Sequence, residues 1–172
     1  MENGKQKIFK ERALKLRQEQ PKVESRGRTI SVLSFYLADE KYALESDYVE
    51  RVLALKRFTD LPCTPDYILG IINIKGNIIA IVDIKKLFNL PDKGITNLNR
   101  VIILDHGGIN FGILTDEIIG REEVELSELQ GKLPNIAGIK STLIRGITKE
   151  RLIIINTGEL FNDPRIIINE EI

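Results

Sequence analysis

Few side chains in this sequence could do chemistry. Among 172 residues there is one histidine, His106, and one cysteine, Cys63. Nucleophilic or acid–base catalysis needs a reactive group held by a partner base, and a structural metal needs about four ligands. One His and one Cys supply neither set. His106 opens a His-Gly-Gly run, the composition of a hairpin turn. Cys63 lies between Pro62 and Thr64 and is expected to be packed in a structural role. Asp83 is the remaining candidate acid. It ends an apolar run and precedes Ile84-Lys85-Lys86-Leu87, where a carboxylate would serve Lys85-Lys86 or cap the short helix. Its counterpart Asn156 could cap equally well but could not exchange a proton. Serine-nucleophile and phosphate-loop motifs are absent. The expectation is no catalytic residue, no cofactor and no metal, which leaves surface for binding.

The bulk properties narrow the class. An apolar fraction of 42% with 29% charged residues describes a soluble globular protein, and the length fits one domain or two small ones sharing a core. A formal net charge of zero disfavours a general nucleic-acid binder. No apolar run reaches the length of a membrane span, and the charged N-terminus lacks a signal-peptide core, so a cytoplasmic protein with no integral membrane segment is expected. A lone cysteine allows no internal disulfide.

Binding surfaces need elements to hold them. Residues 5–20 read as a helix with Ile8, Phe9, Ala13 and Leu16 roughly on one face and six Lys/Arg against two Glu. Such a helix could dock on the main domain, lie on a membrane surface or bind a partner. A polar linker, 21–29, follows. Ile30–Leu37 predicts a strand, Ala38–Lys41 a hairpin turn, Tyr42–Leu44 the return, Glu45–Asp47 a short turn, and Val49–Leu55 another strand.

Residues 61–88 carry the most information. Thr64-Pro65 predicts a helix start with Thr64 as N-cap, ended by Gly70. Ile71–Ile74 and Ile78–Asp83 predict two strands buried on both faces, joined by a tight turn at Lys75-Gly76-Asn77, with Gly76 free to take positive φ. Ile84–Phe88 predicts a short helix. Residues 91–99 predict a loop, Val101–Leu104 and Asn110–Leu114 a second hairpin, Asp116–Gly120 an acidic turn, and Leu126–Gly138 a loop. Ile144–Ile147 and Arg151–Asn156 predict the last hairpin, and Gly158–Phe161 a final short helix.

The two halves resemble each other. Residues 32–52 align with 101–120, and 81–88 with 154–161, at an offset of about 70 residues. Two repeats of short strands imply two small packed β-barrels.

The stretch 61–88 also resembles the CheW-like domain of bacterial and archaeal chemotaxis, whose pattern is roughly LPxxPxYxxGxxNLRGxxxPVxDLxxxL. The matching residues are Leu61, Pro62, Pro65, Tyr67, Gly70, Asn73, Ile74, Lys75, Gly76, Val82, Asp83, Ile84 and Leu87. Lys75 stands for the usual arginine and Ala80 for the usual proline. The resemblance implies a mainly β fold of two SH3-like five-stranded barrels across 29–163. Repeats near 30–90 and 99–161 would make it up, preceded by the helical extension and linker 1–28 and followed by a tail, 164–172. It further implies a non-catalytic adaptor bridging the cytoplasmic tip of a chemoreceptor (a methyl-accepting chemotaxis protein) to the regulatory domain of a CheA-type histidine kinase. The implied receptor contact is a groove between the barrels near Val49, Val52, Ile72 and Ile74. With Arg51, Asn73, Lys75 and Gly76 these form the candidate partner-binding set. Kinase contact would use barrel ends and exposed edges.

One position departs from the family. Arg51 stands where the family has a glutamate, V-x-E-V, and would face Lys75. Two cations would then repel where the family pairs opposite charges, and Glu50 would point to the opposite face of a regular strand. A partner carboxylate could complete the site. Competing readings are a CheW-like adaptor of another signalling system, such as motility or biofilm control, a small β-barrel enzyme, and a fragment of a larger kinase. The enzyme reading lacks a constellation, and the kinase reading lacks a phosphoryl-accepting helix and an ATP-binding segment.

Overall fold

Among the described residues, short β-branched runs punctuated by turns build ten strands, and two single-turn α-helices close the halves. The computed structural model describes residues 28–92, 94–130 and 141–166. The expected helix at 5–20 and its linker through Gly27 lie outside the described residues, as do most of the loop expected at 126–138 and the tail beyond Ile166. In chain order the strands are β1 Thr29–Leu37, β2 Glu40–Glu45, β3 Val49–Ala54, β4 Ile68–Ile74 and β5 Asn77–Val82. They continue with β6 Arg100–His106, β7 Ile109–Thr115, β8 Glu117–Glu125, β9 Ile144–Ile147 and β10 Ile153–Ile155. Helix α1 is Ile84–Leu87 and α2 is Thr157–Phe161.

The strands form two five-stranded sheets, in the orders β8-β1-β2-β10-β9 and β3-β6-β7-β5-β4. Adding five to each strand number of one sheet gives the other, so the repeat is a structural pseudo-symmetry. The repeats do not fold as separate barrels. Each sheet takes the first hairpin of one repeat and the last three strands of the other. The exchange is sealed by two parallel pairs, β2 with β10 and β5 with β7.

The apolar residues divide accordingly. Leu33, Phe35 and Leu37 join Ile102, Leu104, Phe111, Ile113, Leu160 and Phe161 in the core between the sheets. Val32, Ala43, Val124, Leu152 and Ile154 fill one barrel; Ile79, Ile81, Val101, Ile103 and Leu114 fill the other. Central strands are therefore apolar on both faces, and β1 is buried at four successive positions, Val32 to Phe35.

Both predicted caps are present. The Asp83 side chain accepts from Lys85 N at 3.2 Å, and the Asn156 side chain from Glu159 N at 3.3 Å. Two expectations for the 61–88 stretch fail. Thr64-Pro65 starts no helix: Thr64 Oγ1 donates to Leu61 O at 2.9 Å, and Ile68 N bonds Pro65 O at 3.0 Å. The side chain that was to cap a helix is thus spent on a turn, and the chain enters β4 at once. Gly70 lies inside that strand at a bulge, where a Cβ would collide with the Thr59 carbonyl. Nor are the two arms buried on both faces, since Asn73, Asn77 and Ile78 are exposed at the hairpin tip. Asp116 to Gly120 is likewise no turn, because β8 already begins at Glu117.

Candidate functional site

The sheet that contains β3 and β4 has those two strands as its edges, so the seam where its barrel fails to close lies between them. Past β3 the chain bridges the seam partway: Thr59 pairs with Ile71 through hydrogen bonds of 2.9 Å in both directions. Above this bridge the seam stays open. Val52, Ile72, Asn73 and Ile74 line a shallow groove of about 360 Å³ there, with Leu53, Leu55 and Val101 beneath. Ile72 and Ile74 pack on the barrel's interior cluster, and Val52 is 38% exposed.

The hairpin tip closes one end of this groove. Ile74 pairs with Asn77, leaving Lys75-Gly76 as a two-residue turn with φ of 49° and 86°. Positive φ at both central residues matches the twist of the flanking strands. Asn73 Oδ1 accepts from Gly76 N at 2.9 Å and fixes the turn. Lys75 therefore carries its ammonium at an exposed apex.

Beside the groove is a smaller polar pocket of about 150 Å³, lined by Glu50, Arg51, Ile74, Lys75, Asp105 and Asn110 among others. Arg51 and Lys75 do share it. The expected uncompensated repulsion, however, is absent. β3 is bulged against β6: Val49 pairs with Leu104 and Arg51 with Ile103, leaving Glu50 as the extra residue. The bulge breaks the strict alternation of a regular strand, and the Glu50 carboxylate lies 3.4 Å from the Arg51 guanidinium. Asp105, from the other repeat, adds a second carboxylate. The pocket thus holds two cations and two anions, and its exposed ion pair contributes little to stability, within about 1 kcal/mol.

The structure therefore gathers Val52, Ile72, Asn73 and Ile74 into the groove and Arg51, Ile74 and Lys75 into the pocket, with Gly76 in the turn between. It separates Val49, which packs partly buried on the core between the sheets. The groove lined by Val52, Ile72, Asn73 and Ile74 lies at the β3–β4 seam of one sheet, and Val49 is not among its lining residues. Sequence reasoning missed Asp105 and Asn110, which reach the pocket only because strands are exchanged between repeats; no local signal marks that exchange.

The other chemical candidates lie elsewhere. Cys63 is exposed at φ 62°, so the expectation of a packed thiol is corrected: the two flanking prolines hold an exposed turn. His106 ends β6 and packs edge-on to Tyr48 at 5.1 Å, close to Phe161 at 5.6 Å. Lys85 is buried on α1, its Nζ 2.6 Å from Asp116 and 3.5 Å from Asp92. Burial pulls the Lys85 ammonium down, but the Asp116 hydrogen bond and the Asp116, Asp83 and Asp92 charges outweigh it, so its pKa stands above the ordinary lysine value. Burial raises the Asp83 carboxyl, with Lys85 opposing. Asp92 is lowered, chiefly by the hydrogen bond from Gly94 N. Among the described residues no group of three His, Cys, Asp or Glu is placed to hold a metal.

The described residues thus give a paired-barrel β scaffold with an apolar seam, a polar pocket of two cations and two anions, and a tight hairpin between them. Residues 31–165 match the CheW-like domain family, and the chain belongs to it. It is 26% identical over 142 residues to the Chemotaxis protein CheW of Treponema pallidum, covering 78% of this chain and 84% of that one. Against the Chemotaxis protein CheW of Bacillus subtilis it is 26% identical over 125 residues, 73% and 80% of the two chains. The crystal structure of scaffolding protein TtCheW from Thermoanaerobacter tengcongensis superposes with a TM-score of 0.68 at 29% identity, covering 74% of this chain and 89% of that chain. The fold is the two-barrel fold expected from the repeat. Among the described residues no helix is long and apolar enough to cross a membrane.

Proposed function

We infer that the chain is a non-catalytic adaptor of chemotaxis signal transduction that acts in the cytoplasm and couples chemoreceptors to a CheA-type histidine kinase. The observation that carries this reading is the seam: an exposed apolar groove and a charged hairpin apex, on a chain of the CheW-like family, with no catalytic constellation among the described residues. The receptor's cytoplasmic tip would lay apolar side chains against Val52, Ile72 and Ile74, with Asn73 and Gly76 holding the hairpin that flanks them. Charged groups beside those side chains would meet Arg51 and Lys75. Val49 would act from beneath by positioning β3. The kinase regulatory domain would take an exposed barrel edge or end by strand addition or packing.

The test is calorimetric titration of wild type and Lys75→Glu against purified receptor tip and kinase regulatory domain at two salt concentrations. Lys75 is exposed at a turn, so the variant keeps its melting temperature. Affinity for one partner falls by at least about 1 kcal/mol, and the loss shrinks at high salt because rim charges are screened. Unchanged affinity for both partners would place the binding surface away from this hairpin. Binding of neither partner by the wild type would sink the adaptor reading itself.

A further inference from the structure

The open edge strand β8 is unusually acidic. From Asp116 to Glu128 the chain has six acids against one arginine, Arg121. Glu117, Glu122, Glu123 and Glu128 are exposed, and no ion pair within the described residues joins any of them. β8 pairs with β1 on one side only; among the described residues no strand lies along its other side. The edge also carries an apolar residue turned to solvent. Gly120 pairs with Ser34 and Ile118 with Phe35, so Ile119 is the bulged residue, and it is 43% exposed. An exposed edge with an apolar side chain invites pairing unless something covers it.

The same chain contains a complementary segment. Residues 1–28 have nine Lys/Arg against four Glu, and the amphipathic stretch 5–20 offers an apolar stripe of Ile8, Phe9, Ala13 and Leu16. Its point of entry is fixed. Arg28 O accepts from Leu126 N at 2.8 Å, and Thr29 pairs with Glu125, so the preceding chain arrives at the very end of β8. A sixteen-residue helix is about 24 Å long. Nine residues of strand span about 30 Å. The intervening residues 21–28 reach up to roughly 26 Å, enough for a helix to fold back along the strand. Attachment this close sets an effective concentration near the millimolar range, which favours the chain's own segment over a separate partner.

We propose that residues 5–20 dock as an amphipathic helix along β8 of the same chain. The apolar stripe covers Ile119, and the basic flanks face Glu117, Glu122 and Glu123. The helix shields one barrel edge and leaves the β3–β4 seam free. Residues 5–20 lie outside the matched domain, which begins at residue 31.

Paramagnetic relaxation enhancement in the full chain tests the proposal. A nitroxide is attached to Gln18→Cys in a Cys63→Ser background, and amide signals of β8 are compared with those of β3. The expected result is loss of most β8 intensity at low salt with β3 spared, and recovery of β8 at high salt. Reversing charge on the segment (Lys7→Glu, Lys10→Glu, Arg17→Glu) restores β8, and these substitutions lie outside the barrels, so they spare folding. Unaffected β8 signals at low salt would overturn the proposal; sedimentation of that chain with phosphatidylserine-containing vesicles would then identify a membrane as the occupant. Broadening that appears only when labelled and isotope-enriched chains are mixed would overturn it in favour of a second copy.

Discussion

Asp116→Ala should be among the more damaging single substitutions in this protein, although Asp116 is partly exposed. Its two oxygens serve different elements. Oδ1 accepts from Lys85 Nζ at 2.6 Å, tying α1 to the β7–β8 junction, and Oδ2 accepts from Ala38 N at 2.7 Å, holding the β1–β2 turn of the other sheet. The Lys85 side chain is only 1% exposed. Removing Asp116 leaves that ammonium with Asp92 as its ion-pair partner among the described residues, 3.5 Å away on a half-exposed loop, and with the nearby charge of Asp83, whose own carboxyl is raised by burial. Stranding a buried cation costs about 3–5 kcal/mol. At about 2–4 °C per kcal/mol for a domain of this size, the melting temperature falls by roughly 6–20 °C. Lys85→Met removes the cation instead; Asp116 keeps its Ala38 bond and some water, and the cost is only about 1–2 kcal/mol. Adding Asp116→Asn to Lys85→Met should then cost little more, because no charge is left unpaired. Urea denaturation of the three variants reads the free energies, and thermal melts read the shift in melting temperature. Equal losses for Asp116→Ala and Lys85→Met would refute the reasoning, since they would show that the lysine finds water or another anion when its partner is gone.

Two other expectations follow from particular residues. Tyr42 is fully buried, and burial, then the Glu40 charge and the 3.1 Å hydrogen bond to it, push its phenol well above the ordinary value of 10.0. The unfolded chain therefore loses this proton first, and stability falls as pH rises past about 10, by up to roughly 1.4 kcal/mol per pH unit for one group. Lys85, also raised, adds a fall of the same sign above the ordinary lysine value. Denaturation between pH 9 and 11.5 should show this decline, and Tyr42→Phe should make it shallower; identical slopes would contradict the assignment. At the hairpin apex Gly76 has φ 86° and open space where a Cβ would stand, so backbone strain alone decides. Gly76→Val should cost about 1–3 kcal/mol, whereas Gly76→Asn, which tolerates that region, should cost much less. Thermal melts of the two would agree only if the turn can rearrange.

Much of the framework was legible in the sequence, because strands, caps and turns are local. Asp83 and Asn156 cap their helices for reasons visible in five residues each, and Lys75-Gly76 makes the turn that Asn73-Ile74-Lys75-Gly76 suggests. The repeat was legible as well, since similar residues recur at a constant offset. The partition of the repeats between sheets was not. It depends on β2 pairing with β10 and β5 with β7, contacts between segments far apart whose Ile-rich runs would fit either sheet. Thr64-Pro65 misled because a cap-like residue before proline serves a turn as readily as a helix; the choice was made by Gly70, which must sit against Thr59 in β4.

The bulges explain both the failed expectation at Arg51 and the difference between the two halves. Each repeat bulges its third strand at the equivalent place: Glu50 in β3 and Ile119 in β8 are the unpaired residues. A bulge directs its extra side chain out of the alternation that sequence reading assumes. In β3 the extra residue is an acid, and it meets Arg51 beside Lys75 and Asp105, giving a balanced polar rim to an apolar seam. In β8 the extra residue is an isoleucine followed by Gly120, with an acidic run after it, which gives an apolar point on a negatively charged edge. One backbone irregularity, inherited twice, thus presents two opposite chemistries on two equivalent edges. Exchanging the bulged residues, Glu50→Ile with Ile119→Glu, should therefore leave the fold near wild-type stability, because neither side chain is buried. On the proposed adaptor function, the exchange should weaken receptor-tip affinity through the lost partner of Arg51, read by the same calorimetric titration. A collapse in stability would show instead that the identity of the bulged residue fixes the strand register.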